Sequence, residues 1–178
     1  MPTAILKPEP QEYPEAFKSY IELVPADKDV MYYLEKQHAD LLHMFKGISD
    51  ARAEESYEPG KWTIKELLQH MIDCERIFAY RILCICRGET ASLPGFDENL
   101  YAYNSLANIR PLESILNEYD LLRRSNLAMI RSFTSEMLDR VGIANGNQVT
   151  PRALVHIIAG HEQHHVNILN ERYAKMKK

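Results

Sequence analysis

Four stretches of the chain repeat apolar positions every three to four residues, the period of a helix with one face turned inward. None shows the strict alternation of a half-buried strand. The first runs from about Asp27 to Ser49, with Val30, Leu34, His38, Leu41, Phe45 and Ile48 along one stripe. The second opens behind the Pro59-Gly60 break, where Thr63 and Glu66 have the spacing of a capping box. It carries Leu67, Leu68, Met71, Cys74, Phe78, Ile82 and Ile85 as far as Arg87-Gly88. The third follows Pro111, a residue suited to a first helical turn, with Leu112, Ile115, Tyr119, Leu122, Asn126, Met129, Phe133 and Met137 as its stripe. The fourth begins at Thr150-Pro151, a cap followed by a first-turn proline, and turns Leu154, Ile158, His161, His165 and Ile168 inward. The expected fold is all-α: a four-helix bundle forming one domain over residues 1–178.

Two segments fall outside this pattern. Residues 1–26 read as an N-terminal arm with a short helix around Glu15 to Leu23. Residues 88–110 form a long connection between the second and third helices. A connection of that length serves either as the wall of a site or as a crossover between helices that are not neighbours.

Polar residues inside an apolar stripe carry the chemistry. His161 and His165 are four apart, so their imidazoles share one face, roughly 40° apart around the axis. Buried imidazoles need partners, and a metal ion satisfies two at once. Two ligands seldom make a stable site, so a third is sought. His161-Glu162-Gln163-His164-His165 has the form H-E-x-x-H, which suggests a zinc protease with Glu162 as general base. The thirteen residues after His165 hold no histidine and only Glu171 as a carboxylate, so the third ligand must lie upstream. His70 occupies an inward position on the second helix and is the candidate. His38, inward on the first, reads as a hydrogen-bonded core residue. His43 and His156 are expected in solvent, His156 being roughly 140° from His161. His164 is a substitute ligand that would twist away if His165 binds.

Composition narrows the class. A net charge of −4 without a basic stripe argues against a nucleic-acid binder. The one basic cluster, Lys175, Lys177 and Lys178, suits the end of the last helix. No apolar run reaches the roughly 20 residues of a membrane span, and the N-terminus lacks an apolar signal core. The expectation is a cytoplasmic protein without membrane partners. Three cysteines, Cys74, Cys84 and Cys86, in one helix argue against a disulfide framework and read as small core residues. Cys74, one turn after His70, is also a substitute ligand.

PGKWTIKELLQHMIDCER (59–76), LPGFDENLY (93–101) and ALVHIIAGHEQHHVNIL (153–169), in that order, resemble the DinB-like superfamily of helical bundles, which includes bacillithiol-transferase-like proteins. The resemblance covers nearly the whole chain. It implies a metal triad of His70, His161 and His165, zinc or nickel as the ion, and a homodimer. Activities in the family are thiol S-transfer or isomerisation with low-molecular-weight thiols, and Glu162 has no part in them.

Three neutral imidazoles leave positions open on a divalent ion, the pattern of a catalytic site. A thiol or a water would lose its proton there. The expected activity is therefore a metal-dependent S-transferase, joining a thiol to an electrophilic small molecule, or a hydrolase. The alternative is a non-catalytic, stress-associated dimeric bundle. Asp73 or Glu75 would orient an imidazole, or else pair with Arg76 and solvent. Trp62 reads as an anchor of its helix start. Asp97 and Tyr101 would line the opening, or else only shape a turn.

Overall fold

The computed structural model describes residues 4–173. In chain order the helices are α1 (Lys18–Leu23), α2 (Val30–Met44), α3 (Asp50–Ala53), α4 (Ile64–Cys86), α5 (Glu98–Asn104), α6 (Leu112–Arg131) and α7 (Ser135–Leu138). A hairpin of β1 (Gly142–Ala144) and β2 (Asn147–Val149) leads into α8 (Pro151–Ile168). The architecture is a four-helix bundle of α2, α4, α6 and α8. Helix α4 packs on α6 and α8, and α2 packs on the same two.

The starts of the long helices are set locally. Thr63 accepts from the Glu66 N–H while the Glu66 carboxylate accepts from the Thr63 N–H, which completes the expected capping box. Thr150 caps α8 by accepting from the Ala153 N–H, with Pro151 in the first turn. The first long helix is shorter than its periodicity suggests. It stops at Met44, Gly47 turns the chain with a positive φ, and α3 restarts behind a Ser49 cap. Phe133 and Met137 likewise lie beyond the end of α6, although both still pack on the core.

The expectation of no strand is corrected by the hairpin. Gly142 pairs with Val149 and Ala144 with Asn147 around Asn145-Gly146, both with positive φ. That is the backbone a two-residue hairpin turn demands, and glycine adopts it without strain. Leu93 of the long connection bonds to this hairpin, donating to Ile143 O at 2.8 Å and accepting from Asn145 N at 2.9 Å.

The length of the 88–110 connection has a geometric cause. Arg76 on α4 bonds Glu118 on α6, and eleven residues further Arg87 lies over the Phe133 ring, so the two helices run parallel. They are neighbours, contrary to one expectation for the connection. The chain must nevertheless travel back the length of α4, roughly 34 Å, before α6 can begin.

The arm docks through a half-buried polar anchor. Glu12 accepts from Thr150 Oγ1 at 2.9 Å and from Arg152 Nε at 2.6 Å, and its carbonyl accepts from Thr150 N. This holds α1 against α8. There Gly160 faces the backbone of Tyr20 so closely that a Cβ would stand 1.9 Å from its carbonyl oxygen.

Buried apolar residues form two clusters, one with Leu34, Phe78, Leu127 and Ile158, the other with Leu41, Leu68, Ile115 and Leu169. Between them, along each long helix, lie polar side chains. Arg123 on α6 donates to Glu75 of α4 (2.9 and 2.7 Å), to Glu162 of α8 (2.5 Å) and to the Leu34 carbonyl of α2 (3.0 Å). A single 1%-exposed guanidinium thus ties all four helices together. Among the described residues, no helix is long and apolar enough to cross a membrane. The Lys175, Lys177 and Lys178 cluster lies outside the described residues.

Candidate metal centre

Helix geometry stacks His161 above His165 on the inner face of α8, and α4 brings His70 against them. His161 Nε2 stands 3.1 Å from His70 Nε2 and 3.1 Å from His165 Nε2. All three residues are buried, and their ligand atoms lie within 4.8 Å of one another. The arrangement fits an ion on the chemistry of its donors. A ring nitrogen offers one in-plane site, either a hydrogen or a lone pair. His161 Nε2 therefore cannot serve two imidazoles at once, whereas one cation between the three accepts a lone pair from each. The 3.1 Å separations are also near the roughly 3.3 Å edge of a tetrahedron with zinc–nitrogen bonds of ~2.0–2.1 Å.

Burial keeps these rings in the form a cation needs. Desolvation brings His70 down to about 4 and His165 to about 3, and takes His161 well below its ordinary value. All three are neutral at pH 7. His165 Nδ1 is buried with no hydrogen-bond partner among the described residues. Its ring is held instead by packing against the rings of His161 (4.5 Å), His70 (4.9 Å) and His164 (5.0 Å). Tyr20 of α1 lies 5.4 Å from the His161 ring and 5.4 Å from the His164 ring.

The imidazoles open onto a cavity of about 400 Å³. The arm supplies Pro14, Phe17 and Tyr20 to its wall. The 88–110 connection supplies Gly95, Phe96 and Glu98, and the hairpin Asn145 and Asn147. The long connection is therefore both crossover and wall. Trp62 differs from its expected role: beyond marking the start of α4, it lines this cavity with its ring 4.7 Å from that of His70. Cys74 also lines it, its Sγ 3.6 Å from His70 Nδ1, and burial pushes its thiol up to about 12. At pH 7 it is a neutral thiol.

Other expected residues lie elsewhere. Glu162 points away from the imidazoles, accepting from Arg123 and from the Tyr119 hydroxyl (3.1 and 3.0 Å). A carboxylate so engaged is not free to act as the base of an H-E-x-x-H protease. Glu75 is on the same guanidinium and accepts from Asn126. Asp73 accepts from Gln69 and stands 3.9 Å from Arg76. Asp97 caps α5, and Tyr101 packs 5.4 Å from the Phe96 ring; neither lines the cavity. His38 is hydrogen-bonded to Asp120 at 2.8 Å, and His43 is exposed. His156 is a correction: it is 3% exposed, donating from Nδ1 to Arg152 O at 2.9 Å. Helix α8 is packed by α1, α2 and α4, so a side chain well off the histidine seam is still inside.

The sequence pattern does not reveal the Arg123 network as such, although one local signal points to it. Arg123 falls four residues after Tyr119 on the inward stripe of α6, where a charge demands buried partners.

The model of the DinB superfamily matches residues 33–169. A protein of Oceanobacillus iheyensis named "Putative metal-dependent hydrolase" is 23% identical over 120 residues, covering 67% of this chain and 69% of its own. The solved structure of YfiT from Bacillus subtilis superposes with a TM-score of 0.75 at 19% identity, over 83% of this chain and 85% of that one. Its description reads "a probable metal-dependent hydrolase with an unusual four-helix bundle topology". At that identity the likeness speaks for the fold.

Proposed function

Because the chain belongs to the DinB superfamily, we propose that it is a metal-dependent enzyme whose divalent ion, zinc or nickel, is held by His70, His161 and His165. The observation that carries this reading is the convergence of three neutral, buried imidazoles at the floor of a cavity large enough for a small substrate. A bound divalent ion supplies the Lewis acidity that lets a water or a thiol lose its proton near neutral pH.

The chain's own residues do the rest. The aromatic walls of Phe17, Trp62, Phe78 and Phe96 exclude water and seat an apolar body. The docked arm closes one side, so the nucleophile and its target meet in a shielded space. Two chemistries suit the centre. Hydrolysis is favoured by the names of both relatives. Transfer of a low-molecular-weight thiol to an electrophile is favoured by the cavity itself: Glu162 is engaged by Arg123, and Glu98 is the one carboxylate among the described lining residues. A thiol once ionised needs no further base, whereas hydrolysis also needs a proton delivered to the leaving group. We infer thiol transfer as the first activity to assay, in a cytoplasmic, single-domain protein that works as a homodimer.

Elemental analysis of untagged protein, beside a His161→Ala/His165→Ala variant, tests the reading. About one zinc or nickel per chain, lost in the variant, is expected. No ion after reconstitution with either would end the metalloenzyme proposal and leave a helical binding protein. Assays of the loaded protein with thiol–electrophile pairs and with activated esters and amides then separate the two chemistries.

A further inference from the structure

The cavity extends along α4 away from the histidines. Eleven residues after His70 on the same face stands Arg81, 5% exposed and part of the cavity wall. Its Nη2 donates to the Pro94 carbonyl at 2.8 Å, and its guanidinium lies 5.9 Å from the rings of both Phe78 and Phe96. Among the described residues it forms no ion pair. Arg123 offers a contrast: that guanidinium, buried still more deeply, is matched by two carboxylates. A desolvated cation without a counter-charge is costly, and proteins keep one where a ligand brings the charge. Most of the five guanidinium donors remain for that ligand.

We propose that Arg81 anchors the carboxylate of the small molecule that occupies the cavity, with its reacting group at the three imidazoles. This rests on the reading of those imidazoles as the reacting end. Charge sets the orientation. Glu98, the one carboxylate among the described lining residues, exerts its field at His70 and Tyr20, so in the ion-free chain the histidine end repels an anion and the Arg81 end attracts it. A single cation facing a cavity with one acidic residue suits a monoanion and disfavours a phosphate. The planar fork of arginine matches a carboxylate through paired hydrogen bonds. Distance sets the length. The Arg81 guanidinium is 5.9 Å from the Phe78 ring, and that ring is 6.1 Å from the His161 ring. At most about 12 Å therefore separates anchor from imidazole, a span that one small molecule bridges. The rings of Phe78 and Phe96 beside the guanidinium call for an apolar body between its two ends. Arg81 is thus a positioning and specificity residue.

Trp62, the chain's one tryptophan, lines the same cavity and reports its occupancy by fluorescence. The full chain, chelator-treated and zinc-loaded, is titrated with 4-phenylbutanoate and with its neutral amide. The acid is expected to bind at least tenfold more tightly than the amide in both forms. Arg81→Gln removes that preference and melts no lower than wild type, while Arg81→Lys keeps part of it. Equal binding of acid and amide by the wild type overturns the proposal, as does a preference that survives Arg81→Gln. A preference seen only with zinc overturns it too, since the carboxylate then goes to the ion. If the chain takes up no zinc yet loses its acid preference in Arg81→Gln, the anchor stands and the metal centre falls.

Discussion

Gly160 of α8 meets the main chain of Tyr20 so closely that a Cβ on it would lie 1.9 Å from the Tyr20 carbonyl oxygen and 2.4 Å from its carbon. Tyr20 in turn packs its ring on His161 and His164, so the close approach of α1 to α8 seats one wall of the candidate metal centre. Gly160→Ala sets two effects against each other. Alanine gains about 1 kcal/mol of helix propensity, but overpacking against a backbone that cannot rotate away costs ~1–3 kcal/mol. The clash is with main chain, so the cost wins. The variant should melt roughly 2–8 °C lower and expose the arm to limited proteolysis. A higher melting temperature would show that α1 yields freely.

Arg123 offers a second test, because Glu75 and Glu162 share its guanidinium in the core. Removing the cation leaves two buried carboxylates without a counter-charge, a change that costs ~3–5 kcal/mol. Arg123→Met should therefore unfold at much lower urea concentration. Its stability should also fall more steeply with pH. Burial already raises Glu162 beside the guanidinium, and without that cation the folded protein holds its proton more tightly still, so stability drops further as pH rises from 5 to 8. Urea midpoints at the two pH values check both, and a wild-type midpoint in the variant would refute the account.

The three imidazoles predict a ligand-linked rise in stability. Zinc or nickel at ~100 times its dissociation constant should add about 2.7 kcal/mol to the unfolding free energy of the wild type. His165→Ala, which removes one of the 3.1 Å partners of His161, should lose most of that rise. Thermal scans with and without added ion decide it; an equal shift in the variant would place the ion elsewhere.

His156 gives a pH signature away from the centre. Burial holds its imidazole down to about 4, while the unfolded chain takes up this proton near 6.5. Between those values the unfolded state binds more protons. The group's contribution to stability is therefore whole above pH 6.5, falls as the pH drops towards 4, and levels off below. The loss is on the order of 3 kcal/mol at most. His156→Gln should narrow the gap to wild type at pH 5 relative to pH 7.5 in urea unfolding. Parallel stability curves would mean that the ring is not held neutral.

The sequence by itself determined the four long helices, because their signals are local. Apolar period, the Thr63–Glu66 capping box and the Thr150-Pro151 start act within one or two turns. The same locality makes His161 and His165 neighbours on one face. Its limits were equally physical. Strands of three residues are too short to show alternation, so the pattern does not reveal the hairpin although Asn145-Gly146 favours its turn. A single seam implies one buried side and so puts His156 in solvent, whereas α8 is enclosed by several helices. Only the tertiary structure decided that α4 carries His70 to 3.1 Å from His161, and that Arg81, Trp62 and the docked arm border one cavity. Those contacts join residues tens of positions apart, and they depend on the parallel run of α4 and α6 and on the missing side chain at Gly160. The period of a helix says which way a residue faces; what it faces is set by packing across the bundle.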